Sequence, residues 1–496
     1  MAVERVPGPH SRRVFLRLAF AAVGGASAAT LLAACGPTQA PAGGAAPSGA
    51  TAPTSAAAAA PTTAAANPTT APAAAAATAT PGTSSIAAPT PTPYPVANYG
   101  SNSAKVSIRY WTILGSVDGI VMNELVRSFA DANPDIRVES LQGVTDYITK
   151  MEAAAISGTA PDVAIVRHTY IAAFASKNVL SPLTPDELNQ VGIKQEDFDQ
   201  TVWKFTQYQG QQYTVPLDIH LHAMVHNKAL LTQAGYSKPP TTHDEWMDVV
   251  KKTTNGDTLG YNTFAIGGGA QEPLTWYWYG ILRQYGGEML TPDASKAAFN
   301  SPEGIAAVKW MHDMQQTGNP RSVPSGDLQR TGKVATWADG PWISTLYFDK
   351  TKAEAADDLD VAPIPQHDPS KPATWAQSHQ FALPRQKNPE PAKREATLRF
   401  VKWMGEHSVD WAKAGQVPAR NSARDEALNS DNVFLQKLKT WASEIPYGAF
   451  MPSSPKLLEI MPRIAADVEG ALLNQWSVED GLKKAEDEVN QIIAQG

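Results

Sequence analysis

Cysteine is almost absent: Cys35 is the only one in 496 residues. One thiol cannot close an internal disulfide, and a four-cysteine zinc site is excluded with it. Cys35 sits between an Ala-rich run and an Ala/Pro/Thr-rich run, without the His or electropositive pocket a reactive thiol needs. Charge is missing from residues 36–104, which hold no Asp, Glu, Lys or Arg. Basic residues are in the minority: the chain carries −7 overall, and −10 once residues 1–34 are set aside. That balance lacks the basic stripe of a nucleic-acid binder. Beyond residue 34 no apolar run approaches the ~18 residues of a spanning helix. Missing too are G-x-S-x-G, H-E-x-x-H, G-x-x-x-x-G-K-[ST] and a G-x-G-x-x-G that opens a helix. The Gly-rich stretch 267–273 lacks the lysine of a phosphate loop.

What is present begins with an address. "SRRVFLRLAFAAVGGASAATLLAAC" has Arg12, Arg13 and Arg17 ahead of a short, Gly-broken apolar region, the pattern of a secretory signal over residues 1–34. The arginine pair resembles a twin-arginine export signal, and Leu32-Ala33-Ala34-Cys35 resembles a bacterial lipobox. Cys35 is therefore expected to carry a lipid that anchors the chain to the outer face of a cell membrane. Residues 35–104 offer little apolar surface to offset the entropy of ordering, so a disordered tether is expected there.

Residues 105–496 exceed one typical core, so two domains are expected. "KVSIRYWTI" alternates as a strand, and Val121, Met122, Leu125, Val126 and Phe129 make a helical stripe that Asn133-Pro134 stops. "IRVESL" and "PDVAIVR" read as strands on either side of a helix through Ile148 and Met151. This rhythm predicts a parallel sheet and an α/β class. Thr184 with Glu187 and Thr242 with Glu245 fit capping boxes. Ser301, Pro302 and Gly318 mark the ends of another helix. "TFAIGG" and "KVATWADG" read as further strands. The end of the chain is mostly helical, closing with the amphipathic "VEDGLKKAEDEVNQII".

Five phrases, in order, resemble one family: "ISGTAPDVAIV", "YTVPLDIHLHAMVHNKALLTQAGYSKPPTTHDEW", "FNSPEGIAAVKWMHDM", "GKVATWADGPW" and "AKAGQVPARNSA". They are similar to the extracellular solute-binding proteins of bacterial ABC importers, in the sugar/maltodextrin branch. The resemblance implies a two-lobe, periplasmic-binding-protein-like α/β fold with several interlobe crossings. "VPLDIHLHAMVHN" would be the first crossing, with a return near "FALP". One lobe is expected at 105–218 with 378–427, the other at 219–377 with 428–496.

Ligands of open α/β sheets bind beyond the carboxyl ends of strands, so loops there supply the candidate binding residues. They are Trp111, Ser116 and Asp118; His168 and Tyr170; Asp218 and His220, which share one strand face; Trp276 and Trp278, within "EPLTWYWYG"; Trp337, Asp339, Gly340 and Trp342, within "TWADGPW"; and Trp375 and Arg420, in two further loops. Flat rings beside hydrogen-bond acceptors suit the apolar faces and hydroxyls of a sugar. The alternative is that most of these rings are core, and Gly340-Pro341 reads as a tight turn.

His220, His222 and His226 include a pair at i, i+2 that could ligate zinc, but no second ligand cluster stands out, so no metal and no cofactor are expected. No nucleophile accompanies Asp218 and His220 to suggest catalysis. The expected function is capture of a mono- or oligosaccharide by lobe closure and delivery to an ABC permease, by a monomer without nucleic-acid partners. The alternatives are a polyamine, osmolyte or peptide in the same role, a secreted carbohydrate-active enzyme, or a sugar-binding sensor or adhesin.

Overall fold

The computed structural model describes residues 96–262, 271–323 and 326–495. Cys35, the export signal, most of the tether and the predicted strand "TFAIGG" lie outside the described residues. The end of the tether needs correction. Val96–Tyr99 forms strand β1, antiparallel to β3 (Ile136–Leu141) with Val96 opposite Leu141, and the Tyr99 hydroxyl donates to Asn123 Oδ1 at 2.7 Å.

The first half follows the expected rhythm. β2 (Val106–Trp111) buries Ile108 and Tyr110, and α1 (Ser116–Ala132) buries Met122, Leu125, Val126 and Phe129 against it. After β3 come α2 (Tyr147–Ser157) and β4 (Val163–Arg167), whose first four residues are all buried. β2 pairs in parallel with both β3 and β4. Three short strands then follow almost without a break: β5 (Thr214–Pro216), β6 (Asp218–Leu221) and β7 (Ala223–Asn227).

The second half continues with α3 (His243–Thr253), β8 (Leu259–Tyr261), α4 (Gln271–Gln284), α5 (Pro302–Gly318), β9 (Val334–Asp339) and β10 (Leu359–Ala362). Both capping boxes form reciprocally, and Ser301 accepts from the Gly304 N–H at 3.2 Å to open α5. β11 (Thr374–Gln377) and β12 (His379–Ala382) precede α6 (Pro391–Glu406), β13 (Val417–Pro418), α7 (Val433–Ser443) and β14 (Gly448–Phe450). α8 (Leu457–Leu472) and the amphipathic α9 (Val478–Ala494) close the chain, packed on each other.

Three sheets carry the architecture. Six strands run β1-β3-β2-β4-β12-β5, four run β8-β9-β7-β10, and four run β13-β6-β11-β14. The third is a joint. The chain leaves the first sheet at β5, passes through the joint as β6 and enters the second sheet as β7. It returns from β10 through β11 to β12. β6 and β11 lie antiparallel, with Gln377 opposite His220 and Ala376 opposite Leu221. Buried backbone groups need partners, and this ladder supplies them where the chain changes sheets.

The reading of "EPLTWYWYG" as a loop is overturned: it lies in α4. Four adjacent aromatics on a helix cannot share one face, because successive residues are about 100° apart. α4 packs along β11 at Gly280, where an added Cβ would lie 3.1 Å from the Trp375 nitrogen and 3.3 Å from its Cβ. Gly280→Leu is expected to push α4 off β11 and lower stability by about 1–3 kcal/mol. Urea unfolding measures the loss, and near-ultraviolet circular dichroism should report the disturbed Trp276–Trp375 stack.

Candidate functional site

Side chains from both sheets and the joint converge on a cavity of about 280 Å3. The turn between β2 and α1 contributes Ile113, Leu114 and Gly115, and the first turn of α1 contributes Asp118. Arg167 stands at the carboxyl end of β4, His220 comes from β6, and Gln377 and His379 flank Ser378 between β11 and β12. Pro273 and Trp276 come from α4, Trp342 from the turn Pro341–Ile343, and Gln416 from just before β13.

Two indoles form a corner. Trp276 and Trp342 lie 6.0 Å apart with planes at 67°. Trp276 is backed by Trp375, stacked at 4.8 Å and 16°. Gly340 is required beneath Trp342, because a Cβ there would sit 2.0 Å from its ring. Arg167 lies 5.3 Å from the Trp276 ring centre and donates to Glu272 Oε2 at 2.5 Å and to the Tyr170 hydroxyl at 3.3 Å. Burial would lower the Arg167 pKa, but Glu272 raises it, so the guanidinium stays charged.

The acids and histidines divide by environment. Burial pushes Asp118 up to about 6, against a hydrogen bond of 3.1 Å donated by Gln416 Nε2 to its Oδ2. Asp218 is fully enclosed. Its Oδ1 accepts from the His379 backbone N–H at 2.7 Å and lies 3.2 Å from His220 Nε2. Its Oδ2 lies 2.9 Å from His379 Nδ1 and accepts from Trp411 Nε1 at 2.8 Å. Burial alone would raise its pKa, but the two imidazoles hold it well below the ordinary carboxylate range. Burial drops His379 to about 4 and His222 and His168 to about 3, so all three are neutral at pH 7.

Of the residues expected from sequence, Asp118, His220, Trp276 and Trp342 line the cavity, and Asp218, Tyr170, Gly340 and Trp375 stand directly behind lining groups. The others lie elsewhere. Trp278 is on another face of α4, edge-on to Phe299 in the core. Trp337 is a strand residue of β9 packed on Tyr347. Trp375 belongs to β11 rather than to a loop. Trp111 ends β2 and packs in a separate cluster, and Ser116 is exposed at the start of α1. His168 is wedged against Phe205 and Phe450. Arg420 pairs with Asp197 at 3.1 Å, its guanidinium over Phe198, away from the cavity.

Sequence reasoning missed Arg167, Glu272, Gln377, His379 and Gln416. Arg167 carried a signal: it is the charge that ends an apolar strand, at the end where ligands bind. Gln416 lies inside a quoted motif. Gln377 and His379 become site residues only when β11 pairs with β6, which no local pattern announces.

Asp339, enclosed at the end of β9, accepts from the Gly340 N–H at 2.9 Å, and burial pushes its pKa up to about 8. Its folded value lies above the unfolded one, so stability falls as pH rises from about 4 to 8 and is constant above 8. Asp339→Asn should gain on the wild type by about 1.4 kcal/mol per pH unit across that window and hold the gain above it. Urea midpoints from about pH 5 to 9.5 check the slope and the plateau.

Residues 115–410 match the family described as bacterial extracellular solute-binding protein. The chain is 22% identical over 382 residues to the maltotriose-binding protein of Pyrococcus abyssi, covering 74% of this chain and 78% of that one. Its fold is similar to the cyclic alpha-maltosyl-1,6-maltose binding protein of Arthrobacter globiformis, with a TM-score of 0.67, 24% identity and coverage of 79% and 100%. It is similar as well to UgpB of Mycobacterium tuberculosis in complex with glycerophosphocholine, with a TM-score of 0.67, 19% identity and coverage of 78% and 98%.

Proposed function

Because the chain belongs to the bacterial extracellular solute-binding proteins, we propose that it captures a neutral carbohydrate between two α/β lobes and delivers it to an ABC importer. The observation that carries this reading is the mixture of polar atoms around the indole corner. Among the described residues, Gln377 Nε2 and Trp276 Nε1 are buried donors without a partner, and Gln416 Oε1 is a buried acceptor without one. Leaving such groups unpaired costs about 1–3 kcal/mol each. A hydroxyl both donates and accepts, so a sugar answers all three. A phosphate or carboxylate only accepts, and an ammonium only donates.

The lobes are assigned to 105–218 with 378–427 and to 219–377 with 428–496. Support comes from the strands: β5 and β12 belong to the six-stranded sheet, β7 and β10 to the second, with the joint between. Ligand contact with both lobes only in the closed form would shift the population toward closure, and that form would be presented to the permease. Residues 1–34 serve export by the twin-arginine route, and a lipid on Cys35 holds the protein to the membrane. Cys35→Ser is expected to move the protein from the membrane fraction to the soluble extracytoplasmic fraction, checked by fractionation and immunoblotting.

A second reading, a cationic solute, has one observation in its favour: Asp118 beside two indoles resembles an aromatic cage with one carboxylate. Thermal melting against glucose, maltose, maltotriose and mannitol, with polyamines, betaine, glycerophosphocholine and short peptides alongside, separates the two. A ligand at 100 times its Kd adds about 2.7 kcal/mol. A sugar-only shift supports the carbohydrate, a shift only with cations or peptides overturns it, and turnover of a chromogenic glycoside would reveal an enzyme. Trp276→Ala should weaken the sugar about tenfold or more. Trp278→Ala should leave affinity intact and lower stability by about 3–5 kcal/mol. Calorimetry and urea unfolding check the pair.

A further inference from the structure

Arg167 ends β4 in the six-stranded sheet, yet its guanidinium reaches the other half of the molecule. Glu272 and Trp276 lie four residues apart in α4 and so share a face of that helix. α4 in turn packs on α5 and α8 of the second half. Arg167 Nη1 donates to Glu272 Oε2 at 2.5 Å, and the guanidinium carbon stands 5.3 Å from the centre of the Trp276 ring. On its own side Tyr170 steadies it, with the hydroxyl at 3.3 Å and the ring centre at 6.0 Å. The cavity lies against this bridge, since Arg167 and Trp276 both line it.

The bridge is partly buried and incomplete. The two side chains are 22% and 34% exposed, so the guanidinium has lost much of its water and depends on Glu272 to replace it. Arg167 Nε and Glu272 Oε1 remain buried without partners, so the pair is joined end-on and lacks the second bond of a fork. Such a pair can bias a hinge between two arrangements and still be released. Trp276 is only 8% exposed, with Trp375 stacked on it at 4.8 Å and Arg167 beside it. Little of the indole is left for a ligand while the bridge holds.

We propose that Arg167 is a cross-cleft latch: in the empty protein its guanidinium, paired with Glu272 and laid against Trp276, holds the two halves together and covers the indole. Opening returns Arg167 to water and bares Trp276. A ligand then binds only the fraction of molecules whose latch is released, and its apparent affinity is reduced by that fraction. In the closed arrangement the guanidinium has no water to fall back on, so the balance between closed and open depends on the Glu272 carboxylate. The use of Trp276 by a sugar rests on the carbohydrate reading, but the latch is a property of the empty protein.

The test measures the distance across the cleft mouth in the chain from residue 35 onward, without ligand. Cys35 is the only cysteine, so Cys35→Ser leaves a background for two spin labels. Ile120 on α1 and Leu346 on the short helix Ser344–Tyr347 are exposed and lie just beyond the cavity-lining Asp118 and Trp342. Ile120→Cys with Leu346→Cys places one label on each side, for double electron–electron resonance. The expected result is one short-distance population. Glu272→Gln should make a longer-distance population the major one, because the guanidinium loses its counter-charge and regains water by opening. Adding Arg167→Gln should move the balance back toward the short distance, since no charge is left to hydrate. A labelled protein that is already open, an unchanged distribution in Glu272→Gln, or a double variant as open as the single one overturns the proposal. If Glu272→Gln does not fold, Arg167→Lys serves in its place: a compact ammonium cannot hold carboxylate and indole together, and the same lengthening is expected. With maltotriose as the probe, association should be about threefold faster or more in Glu272→Gln than in the wild type, and an unchanged rate overturns the covering of Trp276. If maltotriose binds neither protein, the sugar reading fails, and the distances still decide the latch.

Discussion

Where the chain crosses between its sheets, β6 and β11 run antiparallel, and the Asp218 carboxylate receives the backbone N–H of His379 as the return strand moves from one sheet to the next. Backbone groups at such a crossing are buried and must be paired. The ladder pairs most of them, and Asp218 completes it with a side chain. Because side chains alternate along a strand, this register decides which residues meet. It sets Gln377 opposite His220, with His379 two positions further on. The cavity floor is therefore a by-product of the way the two halves are joined.

The walls depend on packing around that joint. Gly280 lets α4 approach β11 closely, so Trp375 can support Trp276, and Gly340 leaves room for Trp342 to complete the corner. Arg167 from β4 and Glu272 from α4 then close an ion pair across the edge of the same cavity. A rigid aromatic corner with polar groups around it suits a flat, hydroxylated ligand. Rings hold position at little entropic cost, and hydrogen bonds fix orientation.

Burial drives most ionisable groups here toward their neutral forms. His168, His222 and His379 are pushed down, and Asp339 and Asp118 are pushed up. Asp218 is the exception, because three hydrogen bonds, with the His220 ring 3.2 Å away, replace the water it lost. Arg167 is the other retained charge, and Glu272 balances it. A site whose charges are already answered internally favours a neutral ligand, since an extra ion would have to be desolvated without compensation.

Apart from β1, whose composition reads as tether, the strands and helices of the β2–β4 region, both capping boxes and the final amphipathic helix were legible in the sequence, because hydrophobic period and cap residues are local signals. Membership of the family was legible in ordered phrases. Asp118, His220, Trp276 and Trp342 could be singled out as chemistry suited to a sugar, though not told apart from Trp278 or Trp337, which share their composition and context. Trp276 and Trp278 differ only in which side of α4 meets the cavity, and a helix mistaken for a loop hides that difference. Arg420 matched its motif yet is engaged by Asp197. His379 and Gln377 had no local mark at all. The sequence by itself determined the class, the element order and the residue types available for binding. Tertiary structure decided which of them share a cavity, because strand register and helix rotation come from contacts between residues more than a hundred positions apart, such as Asp218 with His379.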